Sequence, residues 1–279
     1  MLPIQMPVSR RTFLRSGAVL TTGVLLLDAC WLEQLCIEVN EFEINAPTPG
    51  IPSLRVLQIS DLHLQSISYS ITRLVRVIAQ LQPDLLVFTG DAIDKAENIP
   101  VLHDFLQLLP TNLQKVAILG NWEYWGNINI AELGSTYSQN TCQLLINQTV
   151  TYRIGNKTIA LTGLDDYVGG SPDVPAALQT YSGSDYHILL NHCPAYTTTI
   201  VQQLAGRSKV DFILSGHTHG GQITLAGFAP LLPRGSGKYV RGWYQENATR
   251  LYVSKGIGTS VVPLRFGARA EVALFTLAG

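Results

Sequence analysis

The strongest constraint on the fold is a unit that repeats between residues 53 and 119: a short apolar run of strand type, a polar loop, and apolar residues at helical spacing. The strand-like runs are residues 53–60, 85–89 and 115–119. Helical spacing of apolar residues fills 71–81 and 101–109, and a proline follows each of these segments. The repeat therefore predicts successive β-loop-α units and an α/β protein.

The second half of the chain is richer in strand signals. Residues 140–164 contain many Thr, Val and Ile residues with short polar breaks such as Gly155-Asn156, a pattern that predicts a meander of strands. Residues 186–190 and 210–214 are two more apolar runs, and residues 250–277 are mostly of β type. Strands of this kind after α/β units predict two packed mixed β-sheets flanked by helices.

Length and composition limit the possible classes of protein. A chain of 279 residues with 46% hydrophobic residues can bury a full core, and one catalytic domain over residues 53–279 is the economical interpretation. The formal net charge is −1, so no basic surface indicates nucleic-acid binding. The four cysteines have no paired spacing, so we expect neither a disulfide framework nor a zinc-thiolate site.

The N-terminal segment has the form of an export signal. Residues 9–15 read Ser-Arg-Arg-Thr-Phe-Leu-Arg, which is a twin-arginine motif in form, and residues 16–27 are uncharged and mostly apolar. This run is shorter than the ~20 residues of a membrane span and fits a signal sequence. We expect a signal or anchor over 1–36, export by the twin-arginine machinery, and a location in the periplasm or the membrane-anchored cell envelope.

Two fates of the N-terminal segment remain open. Leu27-Asp28-Ala29-Cys30 resembles a lipoprotein cleavage box in which Cys30 receives the lipid, but Asp28 departs from the usual small or apolar residue. Uncleaved attachment to the membrane is the alternative. Residues 37–52, which include Pro47, Pro49 and Gly50, are predicted to be an extended linker.

Residues that bind metals follow the predicted strands. They stand in the segments Asp61-Leu62-His63, Gly90-Asp91, Gly120-Asn121, Asn191-His192 and Gly216-His217-Thr218-His219. Carboxyl ends of strands are where α/β sheets bind ligands. In an extended loop, residues two apart point the same way, so both imidazoles of the histidine pair are expected to face one site. Taken singly, each residue is explained as a helix cap or a packed core residue; together they indicate a metal site.

This ordered set resembles the calcineurin-like metallophosphoesterases, and within them a bacterial exported subgroup that ends in Gly-His-Thr-His-Gly-Gly-Gln. The resemblance implies the four-layer α/β/β/α metallophosphoesterase fold. It also implies that one metal is held by Asp61, His63, Asp91 and His219, and a second by Asp91, Asn121, His192 and His217. Asp91 would bridge the two. By the same resemblance, Asp94 and Glu123 would orient the ligands.

A mixed set of nitrogen and oxygen ligands suits Mn, Fe or Zn better than Ca or Mg. Seven ligands exceed one closed zinc site and suit two divalent ions ~3.5–4 Å apart. Two such ions with two carboxylates leave a charge of about +2, which favours a phosphate substrate. A hydroxide shared by the metals is the expected nucleophile, and Asp91, Asn121 and His217 are the expected catalytic residues.

One position departs from the family. After Asn121 the usual residue is His, and here it is Trp122, whose indole cannot transfer a proton at neutral pH. We therefore expect leaving groups that need little protonation. Trp122 with Tyr124 and Trp125 could stack a base, cover an acyl chain, or serve only in packing. Arg265 could contact phosphate, although solvated surface is the preferred interpretation for it, as for Arg269.

These features predict an exported, dinuclear phosphodiesterase or pyrophosphatase that acts on a phosphate-containing small molecule or a lipid-linked substrate. A general phosphomonoesterase is one alternative. A metal-binding envelope protein that has lost catalysis is another, and the complete set of seven ligands argues against it.

Overall fold

The computed structural model describes residues 9–11, 16, 33, 36–45, 53–225 and 227–278. The apolar run after Ser16 and the box that ends at Cys30 lie outside the described residues. Within the described ranges, no helix is both long enough and apolar enough to cross a bilayer.

The first sheet contains the predicted α/β units. Its strands lie in the order β1 (Glu38–Ile44), β12 (Glu271–Leu277), β2 (Leu54–Ile59), β3 (Leu85–Thr89), β4 (Gln114–Ile118) and β5 (Cys142–Leu144). Strands β2 to β5 are parallel, and β12 runs antiparallel to β2 and parallel to β1. The three predicted strands of this region lie within one residue of their observed bounds.

The second sheet is also mixed. Its order is β10 (Gly242–Glu246), β11 (Thr249–Val253), β9 (Phe212–Ser215), β8 (Tyr186–Leu190), β7 (Lys157–Gly163) and β6 (Gln148–Ile154). Strands β6 and β7 form the predicted hairpin around Gly155-Asn156, and β7, β8, β9 and β11 are parallel. The two sheets present the carboxyl ends of several parallel strands at one end of the domain.

Helices cover the outer faces of both sheets. They are α1 (Tyr69–Leu81), α2 (Ile99–Gln107), α3 (Asn121–Trp125), α4 (Ile130–Gln139), α5 (Val174–Ala177) and α6 (Thr197–Leu204). Helix α1 begins at the cap Ser68, whose hydroxyl accepts from the Ile71 N–H, and Ile71, Leu74 and Ile78 form its buried stripe. As predicted, α2 ends before Pro110.

Three apolar layers follow from this arrangement. Val56 and Val87 of the first sheet pack against residues such as Ile188 and Phe212 of the second. The other face of the first sheet packs on α1, α2 and α4, and the other face of the second packs on α5 and α6. The predicted fold class, two mixed β-sheets flanked by helices, is confirmed.

Two sequence predictions differ from the structure. The predicted linker over residues 37–52 is wrong at Glu38–Ile44, which form β1 and extend the first sheet. Phe42 and Ile44 alternate with glutamates and pack on the inter-sheet core, while the glutamates remain at the outer edge. Strand β5 also leaves the predicted meander and pairs with β4.

Candidate metal centre

The predicted ligands converge where the two sheets meet. Asp61 and His63 closely follow β2, and Asp91 and Asn121 closely follow β3 and β4. His192 follows β8, and the pair His217 and His219 follows β9. All seven predicted ligands are buried: Asp61, His63, Asp91, Asn121, His192, His217 and His219. The remaining histidines, His103 and His187, lie elsewhere, and His187 bonds to Thr162 within the second sheet.

Polar contacts join the two sheets beneath these residues. The Gln58 side chain donates to Ser215 O, and the His217 N–H donates to both carboxylate oxygens of Asp61 at 2.9 and 3.1 Å. His192 Nδ1 lies 2.7 Å from Thr89 O. Each of these bonds joins the first sheet or its loops to the second sheet or its loops, and one partner in each bond is a backbone group. Backbone groups therefore fix the relative positions of the ligands.

The backbone at the site is left-handed at five of the seven positions. The φ angles are +52° at Asp61, +46° at His63, +53° at Asp91, +72° at His217 and +51° at His219. Non-glycine residues rarely adopt this conformation, and where they do it often marks a functional site. The prediction that the histidine pair lies in an extended loop is therefore wrong, because the chain turns at both histidines.

One group of ligand atoms contains Asp61, His63 and His219, whose candidate ligand atoms all lie within 4.8 Å of one another. The Nε2 atoms of His63 and His219 are 3.1 Å apart, and His219 Nε2 is 3.7 Å from Asp61 Oδ1. The two imidazoles stack with ring centroids 4.9 Å apart. Two ring nitrogens and a carboxylate thus point at one small volume.

A second group lies beside it. His217 Nδ1 is 3.2 Å from His192 Nε2, so the paired histidines serve different groups rather than one common point. Asp91 lies between the groups: its Oδ2 is 3.2 Å from His192 Nε2 and 3.9 Å from His63 Nε2. One carboxylate oxygen is therefore within reach of both sets of imidazoles.

The outer nitrogens of three histidines face acceptors. His63 Nδ1 bonds to Asp94 Oδ1, His192 Nδ1 to Thr89 O, and His217 Nε2 to Arg234 O at 2.8 Å. A carbonyl or a carboxylate can only accept, so each outer nitrogen carries the proton and the inner nitrogen keeps its lone pair. Rings held in this way are suited to metal coordination.

His219 differs from the other three rings. The group nearest its Nδ1 is the guanidinium of Arg265, whose Nη2 lies 3.5 Å away. Because a guanidinium is only a donor, no acceptor among the described residues fixes the proton on this nitrogen. The His219 ring is held by stacking on His63 and by its backbone carbonyl, which accepts from Arg265 Nη1 at 3.4 Å.

Two further predicted residues support the ligand loops. Asp94 is in place to orient His63, as described above. Glu123 is buried, and its Oε1 accepts from Ala92 N at 2.7 Å while its Oε2 accepts from Gly120 N at 2.8 Å and Asp91 N at 3.2 Å. Burial and the Asp91 charge raise the pKa of Glu123 to about 7. This side chain links the loop after β3 to the loop after β4.

An unpartnered atom tests whether the residues fit metal ions. Asn121 is buried, and its Oδ1 has no hydrogen-bond partner among the described residues. A buried polar atom without a partner is costly, and an amide oxygen is a suitable ligand for a hard or borderline cation. The orphaned oxygen, the inward-facing lone pairs and the two carboxylates all fit divalent metal ions.

The electrostatics agree with this fit. Burial, with the neighbouring His192, lowers the pKa of His217 to about 4, and burial lowers the pKa of His219 well below its usual value. Burial opposes ionisation of Asp91, but His192 outweighs it and holds the pKa of Asp91 below its usual range. His217 and His219 are thus favoured in the neutral form and Asp91 in the ionised form, which are the forms that bind metal. Burial also opposes protonation of His63 and His192, but the neighbouring carboxylates outweigh it and raise the pKa of both rings.

Arg265 corrects a prediction. Arg265 was expected to lie at the solvated surface or to contact phosphate. Both expectations are wrong, because its side chain is 0% exposed. Its nitrogens donate to the carbonyl oxygens of Gly258, Lys255, Ala268 and His219. Arg265 therefore holds the loops behind His219. Its neighbour Arg269 is exposed, as expected.

Trp122 lies at the mouth of the site. Its backbone N–H donates to Asp91 Oδ1 at 2.9 Å, and its indole meets the His63 ring edge-on, with centroids 6.0 Å apart. It lines a groove of about 500 Å³, together with Trp125 and several apolar residues from the loops near 222–234 and 260–262. The floor of this groove contains Asp91, Asn121, His217 and His219.

Sequence reasoning missed several supporting contacts. The carbonyl of Arg234 anchors His217, and nothing in a side-chain pattern marks a backbone acceptor. Gln222, the last residue of the Gly-Gly-Gln motif, donates to Val262 O and accepts from Ser260 N, and only the motif itself signalled it. Cys193 is fully buried and donates to Asp166 Oδ1 at 3.1 Å.

Comparison with known proteins identifies the family. The calcineurin-like phosphoesterase family profile matches residues 54–221, which is more than half of the chain. The chain therefore belongs to the calcineurin-like phosphoesterase family. Membership implies a phosphoric ester hydrolase, and the family typically binds divalent metals.

Relatives with similar sequences cover nearly the whole chain. The chain is 33% identical over 97% of its length to the uncharacterised metallophosphoesterase YkuE of Bacillus subtilis, covering 98% of that protein. A transmembrane protein with a metallophosphoesterase domain from Bos taurus is 30% identical over 95% of this chain and 62% of its own length. A dimetal phosphatase from Danio rerio aligns over 81% of this chain and 99% of its own, with 12% identity and a TM-score of 0.48.

Proposed function

We infer that this protein hydrolyses a phosphodiester or pyrophosphate bond with two divalent metal ions. The observation that carries the proposal is the position of Asp91, whose Oδ2 lies within 3.9 Å of His63 Nε2 in one group and 3.2 Å of His192 Nε2 in the other. The proposed ligands of the first ion are Asp61, His63, Asp91 and His219, and those of the second are Asp91, Asn121, His192 and His217. Mn, Fe or Zn suits this set of ligands.

The charge of the proposed site favours an anionic substrate. Asp61 and Asp91 contribute two negative charges against four positive charges from the ions, and the other five ligands are neutral. When bound, the ions supply Lewis-acid stabilisation of the phosphoryl group and activate water for in-line attack. The residues of the chain would hold the ions, and Asp94, Thr89 and Arg234 orient the imidazoles of His63, His192 and His217.

The choice of bond follows from the lack of a general acid among the described residues that line the groove. Of the titratable side chains among the described residues that line the groove, Asp91, His217 and His219 are proposed ligands, and the fourth is Arg234, a residue type that does not serve as a general acid. Trp122 cannot transfer a proton either. General acid catalysis typically contributes ~10²–10⁴-fold, so a reaction without it favours leaving groups that are stable as anions. Aryl, nucleotide and pyrophosphate leaving groups meet this condition.

The test is hydrolysis of bis(p-nitrophenyl) phosphate and p-nitrophenyl phosphate by the full chain with Mn²⁺. We expect faster turnover of the diester and a loss of at least about 10³-fold in Asp91→Asn, because the bridging charge is removed. Asp173→Asn, which changes a carboxylate that caps α5, is the matched control and should retain activity.

Other outcomes would select the alternatives. Faster turnover of the monoester would indicate a general phosphomonoesterase. Metal binding without turnover of either ester, in folded protein, would indicate a metal-binding protein that has lost catalysis.

We also propose that the protein is exported by the twin-arginine route to the cell envelope. The support is the Ser9-Arg10-Arg11 motif and the apolar run that follows it. Fractionation of cells that express the full chain should place the protein in the envelope, and replacement of Arg10 and Arg11 by lysine should retain it in the cytoplasm. Equal export of both forms would contradict this route.

A further inference from the structure

The groove above the proposed metal site has apolar walls. Side chains of Trp125, Ile223, Leu231, Leu232, Val261 and Val262 line it. Two of its polar side chains are already engaged with the backbone: Thr218 donates to Val240 O and Gln222 donates to Val262 O. The walls thus offer little hydrogen bonding for a sugar or a base and much surface for an apolar group.

These apolar residues are exposed to an unusual degree. Val261 is 91% exposed and Leu231 is 82% exposed, and both lie on the rim of the same groove. Single exposed apolar residues are normal on protein surfaces, but a group of them around one concave site indicates a binding surface. The apolar part of the ligand must adjoin a phosphate, because the groove and the proposed metal site share Asp91 and His217.

The backbone at Val261 supports the same interpretation. Its φ angle is +62°, a conformation that is a clear outlier for a β-branched residue. Neither packing nor a hydrogen-bonding side chain offsets this strain, since the side chain is almost fully exposed. Strain of this kind is found at functional sites. Asparagine adopts a positive φ more readily than valine does. The backbone conformation therefore does not account for an apolar residue at position 261.

The groove is a built structure rather than two separate loops. Thr224 N donates to Phe266 O and Phe266 N donates to Gln222 O, which joins the two loops by a short parallel bridge. The Gln222 side chain also accepts from Ser260 N at 3.0 Å. The walls are therefore held at a fixed distance from each other and from His219.

Two exposed apolar residues, Leu225 and Phe228, extend the apolar surface beyond the groove. Leu225 and Phe228 pair through two backbone hydrogen bonds of 2.9 Å, and their side chains are 71% and 70% exposed. Neither side chain lines the groove. Their exposure is thus not explained by a ligand inside the groove and fits contact with an apolar phase outside it.

Glu33 contacts the segment that forms one side of the bridge to the groove loop. Glu33 accepts from Gly267 N at 2.7 Å and from Ala268 N at 3.1 Å, next to the residue that bridges to the groove loop. The apolar N-terminal run ends at Leu27, six residues earlier. Six residues span at most ~20 Å, so a run retained in a membrane would keep this loop close to the bilayer.

We propose that the substrate is a phosphate ester with a long apolar chain, held in a bilayer, whose chain occupies the groove while Leu225 and Phe228 contact the membrane. The proposal rests on the proposed phosphoesterase function and names its substrate class. The phosphate would lie at the metal ligands, and the chain would run between Trp125, Leu231 and Val261.

The first test uses the full chain with Mn²⁺ and two soluble diesters, methyl and octyl p-nitrophenyl phosphate. We expect kcat/KM to be at least about tenfold higher for the octyl ester, because buried methylene groups stabilise the complex. Leu231→Ser and Val261→Asn should each lower the ratio of octyl to methyl kcat/KM by about fivefold. Leu108→Ser, which changes an exposed leucine at the end of α2 that does not line the groove, should leave the ratio unchanged.

The second test uses phosphatidylcholine vesicles that carry hexadecyl p-nitrophenyl phosphate. The double variant Leu225→Ser, Phe228→Ser should lower the ratio of the rate on vesicles to the rate on the dispersed octyl ester by about fivefold or more. The N-terminal segment is the same in both proteins, so it does not contribute to the difference. An equal loss of both rates would overturn the bilayer contact.

A binding measurement separates this inference from the proposed function. Tryptophan fluorescence of the Mn²⁺-loaded protein should report tighter binding of octyl phosphate than of inorganic phosphate, and the Leu231→Ser variant should lose most of that difference. Equal binding of the two, or an octyl to methyl ratio near one, would overturn the apolar groove even if the diesters are hydrolysed. Chain-dependent binding without hydrolysis would uphold the groove and contradict the phosphoesterase reaction.

Discussion

Asp94 Oδ1 accepts a hydrogen bond from Nδ1 of His63, on the side of the ring opposite His219 Nε2. Burial disfavours the charged imidazole, but this contact raises the pKa of His63 above its usual value. The carboxylate fixes the proton on Nδ1 and turns the lone pair of Nε2 inward. The position of one acidic side chain thus decides whether the ring can act as a ligand.

Asp94→Ala should weaken metal binding by about 10–100-fold, since the ring loses the group that orients it. Competition titration with Mn²⁺ or Zn²⁺ measures the change. Asp94→Asn should recover part of the loss because its amide oxygen can still accept. Asp104→Ala, on the exposed face of α2, is the control, and an equal loss there would contradict the role of Asp94.

Arg265→Lys should lower the free energy of unfolding by about 3 kcal/mol or more, because an ammonium group cannot reach the four carbonyl oxygens that the guanidinium binds. Denaturant unfolding measures this difference. The same substitution at exposed Arg269 should change stability by less than about 0.5 kcal/mol. Similar effects at both positions would show that the buried contacts are not formed in solution.

Gly90→Ala should destabilise the protein by more than the cost of placing an alanine at a positive φ. At φ +90°, an added Cβ would lie 2.4 Å from His192 Nδ1 and 2.8 Å from Gly120 N. We expect a loss of about 3 kcal/mol or more in unfolding free energy and weaker metal binding. Gly155→Ala has a positive φ with no atom within 4 Å, so it should lose only about 1 kcal/mol and keep its metal affinity. Equal losses of stability in Gly90→Ala and Gly155→Ala would mean that the clash of the added Cβ with His192 does not contribute.

Trp122→His should raise hydrolysis of alkyl phosphate monoesters relative to aryl diesters by about tenfold or more, because an imidazole can protonate the leaving oxygen. The ratio of kcat/KM for the two substrates is the measurement. Trp122→Phe removes the indole without adding a proton donor and should not raise the ratio. A rise of this ratio in both variants would show that the effect comes from the space left by the indole rather than from proton transfer.

Val261→Asn should increase the free energy of unfolding by about 1 kcal/mol, since asparagine tolerates a positive φ that a β-branched residue does not. Thermal or denaturant unfolding of the full chain measures it. Val262→Asn, at the neighbouring position without a positive φ, is the comparison and should not be stabilising. A loss of stability in Val261→Asn would show that the valine side chain packs in solution.

Much of the site could be predicted because its residues follow strands. A buried run such as Leu85–Thr89 is recognisable from apolar residues alone, and the residue after it must lie at the edge of the sheet. Asp91 and Asn121 were located in this way. The motif around His217 added the histidines, and the resemblance divided the ligands between two ions, an assignment that stays a prediction.

The rest depends on contacts between distant segments. The left-handed residues Asp61 and His217 are joined by bonds from the His217 N–H to the Asp61 carboxylate, and no local sequence pattern encodes a contact between these distant loops. Arg265 looks like a surface residue by type, and only the fold of the loop behind His219 buries it. Strand β1 was missed because the Pro- and Gly-rich residues after it dominated the composition of that region.

Strand β12 lies between β1 and β2, so the first sheet is completed by residues 271–277. During synthesis, β2 and the Asp61 loop that it carries must wait for more than two hundred further residues before their antiparallel neighbour leaves the ribosome. Pairing across such a separation is slow to form and leaves apolar strand edges open in the meantime. A chain cut short before residue 271 would expose both β1 and β2. The sheet beneath the site is therefore completed only after residues 271–277 have been synthesised, and a chain that stops before them would be marked for chaperones or proteases by those unpaired edges.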